Sequence, residues 1–456
     1  MLAAAVLGSG MAFLDGTVVN VALPALGVGI GATVTELQWV VNAYLLTLAS
    51  LILVGGSLGD RFGRRRVFVV GVAGFAVASV LCGISQDATQ LIAARLVQGV
   101  FGALLTPSSL ALLQASVARE DRSASIGRWS GLTSLTAVAG PVVGGGLIQL
   151  ASWRWIFLIN VPLAVVVLLI AWKHLPESRD EQATSGLDVP GAVLSALALA
   201  GLTWALTESG TAATSVLVAV GVVALVAGVA FVLRQRVTPT PLVPLSLFGD
   251  RVFSVANLMT LLVYAALGAN TFFLTLQLQV SVGYTPLLAG LATMPMTVLL
   301  ILFSGRAGAL AARIGPRLPM TVGPLLCAVG TLMLLGVGEG TRYLTGVLPG
   351  VVVFGAGLTV LVAPLTASVL AAAPDRHAGV ASGVNNAVAR SGGLLAVAAL
   401  PAAVGLSGAD YQSAVTLTPG YQAAQVVCIV LLVLGGLISF LGLAGTRRLM
   451  VEQATS

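Results

Sequence analysis

Apolar stretches of about 20 residues, each long enough to cross the hydrocarbon core of a bilayer, follow one another from end to end of this sequence. Lipid offers no water to bond exposed N–H and C=O groups, so such stretches fold as helices. The spacing predicts fourteen of them, at approximately 3–26, 38–59, 67–85, 89–115, 124–150, 154–172, 187–207, 214–234, 251–279, 285–304, 318–338, 343–371, 378–404 and 421–445. Only 8% of the 456 residues are charged, against about a quarter in a soluble domain. The chain reads as an all-α polytopic membrane protein with the lipid bilayer as its solvent. Its first stretch lacks a basic flank and contains Asp15 and Asn20, so it reads as a membrane helix and not as a cleaved signal peptide.

The few charges are sorted by side. Of 22 basic residues, 18 fall in alternate connections and the tail, among them Arg61, Arg64, Arg65 and Arg66 between helices 2 and 3. The opposite connections hold Arg154 and Arg342. Basic loops stay on the cytoplasmic side, which predicts cytoplasmic termini. Spread over short loops, the net charge of +6 makes no nucleic-acid surface.

The sequence also repeats itself. GSLGDRFGRR at 56–65 recurs as GALAARIGPR at 308–317, an offset of 252. In the same order, Phe101-Gly102-Ala103 returns as Phe354-Gly355-Ala356, and Asp121-Arg122 returns as Asp375-Arg376. This predicts two related six-helix halves, residues 1–172 and 251–456, with two further helices inserted between them over 173–250. Half-repeats of this kind place a site between the halves.

Residues able to do chemistry are few. Asp15 is the one acid deep within a predicted helix. A charged carboxylate there is costly, so it is neutral part of the time or paired. Burial favours the neutral form and a nearby cation the charged one, and a switch between them is what a proton carrier needs. A structural carboxylate bonded to a neighbouring helix is the alternative. Arg95 lies within helix 4 on the face of Gly99, Gly102 and Thr106. It either pairs within the membrane, with Asp15 as the candidate partner, or snorkels to the interface. Asn20 is about 140° around helix 1 from Asp15, so the two do not meet one ligand atom. Gly140 and Gly144 form a small-xxx-small pair, and with Pro141 and Gly145 they suggest a kinked, closely packed helix.

Ser382, Asn386, Arg390 and Gly393 share one face of helix 13, and Asn257, Tyr264, Thr271 and Thr275 share one of helix 9. Both faces are candidate cavity linings, with Asn270 and Gln277 competing from the other side of helix 9. Arg390 favours an anionic or neutral polar substrate over a permanent cation, unless it is held in a structural ion pair. His174 and His377 lie in loops, and Cys82, Cys327 and Cys428 stand apart in apolar runs. No metal, cofactor or catalytic set is expected from them, which argues against an enzyme. Nothing resembles a charged ring or carbonyl filter, which argues against a channel.

Five segments resemble the signatures of a known family. GSLGDRFGRRR at 56–66 is similar to the loop signature of the major facilitator superfamily. LDGTVVNVALP at 14–24 is similar to the helix 1 signature of its fourteen-helix drug/proton antiporter branch, and Arg95-Leu96-Val97-Gln98-Gly99 to that of helix 4. Gly140-Pro141-Val142-Val143-Gly144-Gly145 resembles the helix 5 antiporter signature, and WRWIFLINVPL at 153–163 resembles the opening of helix 6. The resemblance spans the chain and implies the major-facilitator fold, two six-helix halves plus two inserted helices. It implies proton coupling at Asp15 and Arg95, and a substrate cavity to which Asn20 and Gln98 are added beside Asn257, Tyr264, Asn386 and Arg390. Conformational roles fall to Asp60, Arg61, Gly63 and Arg64 and to Gly140, Pro141, Gly144 and Gly145. In the loop, Asp60 is expected to latch the halves by meeting a basic partner or a helix N-terminus; the second copy has Ala312 there, so the latch is one-sided. The resemblance implies a multi-pass transporter of the bacterial inner membrane that exports small organic compounds in exchange for protons, driven by the proton gradient alone, and a monomer suffices for two rocking halves. A proton-driven importer of a small metabolite on the same fold is the alternative.

Overall fold

A computed structural model describes residues 2–116, 122–179, 188–374 and 378–444. It contains fourteen long helices: α1 Leu2–Ile30, α2 Val34–Phe62, α3 Arg64–Ile84, α4 Ala88–Ser116, α5 Arg122–Leu150, α6 Trp155–His174, α7 Val189–Thr207, α8 Thr214–Val237, α9 Arg251–Val280, α10 Pro286–Ile314, α11 Arg317–Leu334, α12 Tyr343–Ala371, α13 Ala378–Ala403 and α14 Ala414–Gly442. No strand occurs among the described residues. The helix count and the all-helical architecture agree with the sequence pattern. Twelve are apolar and long enough to cross a membrane. The other two, α5 and α13, match them in length, and α13 carries Asn385, Asn386 and Arg390. Exposed Trp155 and Trp172 mark the two ends of α6, about 25 Å apart at the rise of an α-helix. That is the spacing of the two interfacial belts where tryptophan collects.

Several helix ends differ from the expected ones. Helix α2 begins at Val34 because Thr33 and Glu36 close a capping box. The Glu36 N–H donates to Thr33 Oγ1 at 3.3 Å, and the Thr33 N–H donates to Glu36 Oε2 at 2.8 Å. Helix α10 runs on to Ile314, and α14 starts at Ala414 although Pro419 lies within it. Arg119, Asp121, Asp375, Arg376, His377, Arg447 and Arg448, used above for topology and the repeat, lie outside the described residues.

Helix packing reproduces the repeat. Within the first half α2 packs on α4, α3 on α4 and α1 on α5; within the second, α10 packs on α12, α11 on α12 and α9 on α13. The halves meet along two seams, α5 against α10 and α2 against α13. These are equivalent, because the 252-residue offset carries α2 onto α10 and α5 onto α13. The turns at the matching positions agree too. Gly63 (φ +106°) and Gly315 (φ +87°) occupy the positive-φ region that favours glycine. The Gly63 N–H donates to the Gly59 carbonyl and the Gly315 N–H to the Ala311 carbonyl, closing α2 and α10 alike. The inserted α7 packs against both α2 and α13, so it covers one seam, and α8 lies outside it with most of its surface exposed.

The inserted pair is pinned by Asp188, which is buried at the start of α7. Its carboxylate accepts from the Gly191 N–H at 3.0 Å, from Gln235 Nε2 at 2.7 Å and from Arg234 Nε of α8. Burial alone would raise this carboxyl, but the bonds from Arg234, Gln235 and Gly191 outweigh it and hold the group below the usual carboxylate range. A depressed carboxyl contributes stability that is complete above its unfolded value, about 3.9, and that is lost as pH falls through the lower folded value. Asp188→Asn is therefore expected to lower the thermal midpoint of detergent-purified protein at neutral pH. The gap between wild type and variant should close as the medium is acidified below about pH 4. A gap that stayed constant down to about pH 2 would show that the carboxylate charge does not join α7 to α8.

Candidate functional site

Helices α1, α3, α4 and α6 converge on a buried polar cluster. Asp15 is fully buried and Arg95 is 1% exposed, so the arginine does not snorkel. Arg95 Nη1 donates to Asp15 Oδ2, and to Gln98 Oε1 at 2.7 Å. Its Nε donates to the Val40 carbonyl at 3.1 Å, and its guanidinium carbon lies 4.3 Å from the Tyr44 ring centre. The second Asp15 oxygen accepts from Gln98 Nε2 at 2.9 Å and from Asn160 Nδ2 at 3.4 Å. Both amides also donate to Ser79 Oγ, at 2.9 and 3.3 Å. The Tyr44 hydroxyl donates to the Ala12 carbonyl at 3.0 Å, which fixes the ring beneath the cation. An ion pair taken out of water is tolerated only when its remaining valences are met, and here neutral donors and an aromatic face meet them.

Asn160 reaches the cluster because α6 is broken. Pro162 has no N–H for the Leu158 carbonyl, and regular α-helix lapses at Ile159 before resuming at Asn160. Asn160 and Ser79 were not singled out in the sequence. The readable signal was a polar residue in an apolar stretch two places before a proline, inside the helix 6 signature.

The other expected residues divide into placements. Gln98, expected at the cavity wall, is fully buried inside the cluster. Asn20 is half-buried and donates to its own Gly16 carbonyl at 3.2 Å. Asn257 is buried and accepts from Asn385 Nδ2 at 3.2 Å; Asn385 also donates to Thr260 Oγ1 at 2.9 Å. Asn386 is exposed, with its amide on the Ser382 carbonyl. Tyr264 and Arg390 are half-buried, and the Arg390 guanidinium carbon lies 5.6 Å from the Phe13 ring centre. Asn270 and Gln277 are taken up in packing. Asn270 accepts from Gln425 Nε2 at 2.9 Å, and Gln277 donates to the Val337 carbonyl at 2.8 Å.

At the Arg-rich end, Asp60 Oδ1 accepts from Arg64 Nε at 2.9 Å and Nη2 at 2.8 Å, four residues away in the same turn. It makes no bond to the other half among the described residues. Arg61 is exposed over Phe62. The carboxylate at the N-terminus of α3 is instead Glu177, which sequence reasoning missed. It accepts from the Arg65 N–H at 3.1 Å and lies 3.7 Å from Arg66 Nε, where a helix dipole favours an anion. An added Cβ on Gly63 would sit 2.6 Å from Glu177 Oε1, so this glycine is held by contact as well as by its φ.

The helix 5 motif packs against α1 on one side and against the α5–α10 seam on the other. An added Cβ on Gly140 would overlap Thr17, and one on Gly144 would overlap Val18, both on α1. On the opposite side, a Cβ on Gly145 would sit 2.5 Å from the Pro286 carbonyl oxygen, and one on Gly290 would overlap the Pro141 carbonyl, both across the α5–α10 seam. Helix α5 itself runs without a break through Pro141. Among the described residues, hydrogen bonds between the halves fall at the Arg-poor end. Gln38 Nε2 donates to the Val397 carbonyl at 2.8 Å, Gln279 Nε2 to that of Val21 at 2.9 Å, the Tyr411 hydroxyl to that of Ala32 at 2.7 Å, and the Val34 N–H to that of Gly408 at 2.8 Å. The halves are thus clasped at one end of the bundle.

Comparison with known proteins follows the same lines. The model of the Major Facilitator Superfamily matches residues 5–397. The Tetracenomycin C resistance and export protein of Streptomyces glaucescens is 35% identical over 406 residues, covering 88% of this chain and 74% of that protein. The Methylenomycin A resistance protein of Bacillus subtilis (strain 168) is 36% identical over 413 residues, covering 90% and 88%. Among solved structures, a bacterial homolog of the human lysosomal transporter Spinster, inward-facing and unoccupied, has a TM-score of 0.68 at 16% identity, covering 97% and 96%. The POT family transporter PepTSo has a TM-score of 0.71 at 14% identity, covering 97% and 98%. At such identities the likeness to these structures is one of fold.

Proposed function

The chain belongs to the major facilitator superfamily, and on that premise we propose that it is a proton-coupled exporter of antibiotics or related small organic compounds, working by alternating access in the bacterial inner membrane. The observation that carries this reading is the Asp15–Arg95 pair, buried within the first half with Gln98 and Asn160 completing its bonds. Protonating Asp15 removes the negative charge and leaves Arg95 as an uncompensated cation. A ligand shifts a conformational equilibrium only by its differential affinity for the two states, and the penalty on that cation supplies the difference. The clasped arrangement suits the ionised pair and is disfavoured by the proton. The Arg-rich end is taken as cytoplasmic, so this arrangement is the one open to the cytoplasm. The two resistance proteins above favour export over import.

Everted vesicles test this. With the protein present, an imposed proton gradient should drive accumulation of at least one antibiotic from a panel, and a protonophore should abolish it. Accumulation that ignored the gradient would overturn proton coupling, and accumulation only in right-side-out vesicles would overturn export.

A further inference from the structure

We propose that Arg390 is the anchor of a binding subsite for an organic acid, a carboxylate or an ionised enol or phenol, carried by an aromatic or otherwise apolar exported compound. The inference rests on the export reading for its biological sense, but its geometry is independent of Asp15. Arg390 lies twelve residues into α13, about 18 Å along the helix and so near the middle of a bilayer. A guanidinium at that depth is costly unless it pairs or faces a polar cavity. The other intramembrane arginine, Arg95, has Asp15. Arg390 makes no ion pair and no hydrogen bond among the described residues, and its Nε is buried without a partner. Among the described residues, the titratable side chains that act on it electrostatically are Tyr44 and Tyr264, two phenols and no carboxylate. Tyr44 already stacks under Arg95, so it offers no countercharge.

The surroundings define what would supply the missing charge. Phe13 of α1 forms one wall, 5.6 Å from the guanidinium carbon. Tyr264 of α9 forms another, and its hydroxyl makes no hydrogen bond among the described residues. One turn towards the Arg-rich end on the same face of α13, Asn386 is exposed. The halves are clasped at the Arg-poor end, so on the export reading cargo would arrive from the Arg-rich end. A planar guanidinium presents parallel donors that match a carboxylate, and two aromatic walls suit a flat apolar body attached to it. A permanent cation would meet like charge at Arg390, which costs affinity and selects against it.

The test is binding to detergent-purified full-length protein, followed by fluorescence anisotropy. The probes are dansylglycine, its uncharged methyl ester and ethidium, with wild type, Arg390→Gln and Arg390→Lys as proteins. Wild type should prefer the acid to the ester by at least tenfold. That preference should fall to near one in Arg390→Gln and return in part in Arg390→Lys, with all three proteins eluting as one sharp peak. Equal binding of acid and ester by wild type, an undiminished preference in Arg390→Gln, or preferential binding of ethidium would overturn the subsite. Gradient-driven uptake of the same probes is then measured separately. An Arg390-dependent preference without uptake would overturn export and leave the acid subsite standing.

Discussion

Asp15→Asn is expected to abolish gradient-driven export while the protein still reaches the membrane, and to lower its stability by about 3–5 kcal/mol, the cost of removing one partner of a buried ion pair. Asparagine can still accept from Gln98 and Asn160, so the shape of the cluster survives. What it lacks is the charge that balances Arg95, which is 1% exposed and has no other carboxylate bonded to it among the described residues. The double variant Asp15→Asn/Arg95→Gln removes the stranded cation as well. Its thermal midpoint should return most of the way to wild type, since a buried pair replaced as a whole costs far less than a pair half removed. Its transport should not return. The two readouts separate the structural role of Asp15 from the proton-carrying one. Gradient-driven uptake by the double variant would move the proton site elsewhere.

The second large effect is expected at the α5–α10 seam. Gly145→Val and Gly290→Val each push a side chain into backbone of the other half, where an added Cβ already has no room beside Pro286 and Pro141. Overpacking costs about 1–3 kcal/mol, and if the halves rock apart by alternating access it falls on the clasped arrangement, where the two backbones meet. A shift of that size changes the balance of two states by roughly 5- to 150-fold. Export should fall by about as much, with normal membrane insertion. A cysteine placed at Gln279, whose amide bonds Val21 across the clasp, should react faster with a membrane-impermeant thiol reagent in these variants. Cys82, Cys327 and Cys428 are buried and should give little background. Gly146→Ala, where nothing lies within 4 Å of an added Cβ, is the control. Unchanged labelling and transport in Gly145→Val would mean that the seam does not gate.

Much of the fold was legible in the sequence because its determinants are local and repeated. Apolar length set the helices, and the 252-residue offset, read as two related halves, has its structural counterpart in the equivalent seams and in the matching glycine turns at Gly63 and Gly315. Helix ends were less legible, although the start of α2 had a readable cause in Thr33 and Glu36. The site was legible in part. Asp15 and Arg95 stand out because charge is rare at that depth, but their partners lie far away in sequence and carry common amides. Gln98 read as lining because position on a helix face does not tell a cavity from a neighbouring helix. The adjacent Asn385 and Asn386 show the same limit, since the structure turns Asn385 into packing with Asn257 and Asn386 into the open. Glu177 escaped notice because its role at the start of α3 depends on how the connection after α6 folds back.

The central claim is that one carboxylate, Asp15, holds the proton that the exported compound displaces. Proton release on binding tests it most directly. The compound most strongly accumulated by everted vesicles is added to detergent-purified protein in weakly buffered solution, and the pH change is followed with an indicator dye. Wild type should release protons in proportion to protein, and Asp15→Asn should release none while binding of the compound remains measurable. Release of equal size from Asp15→Asn would contradict the account.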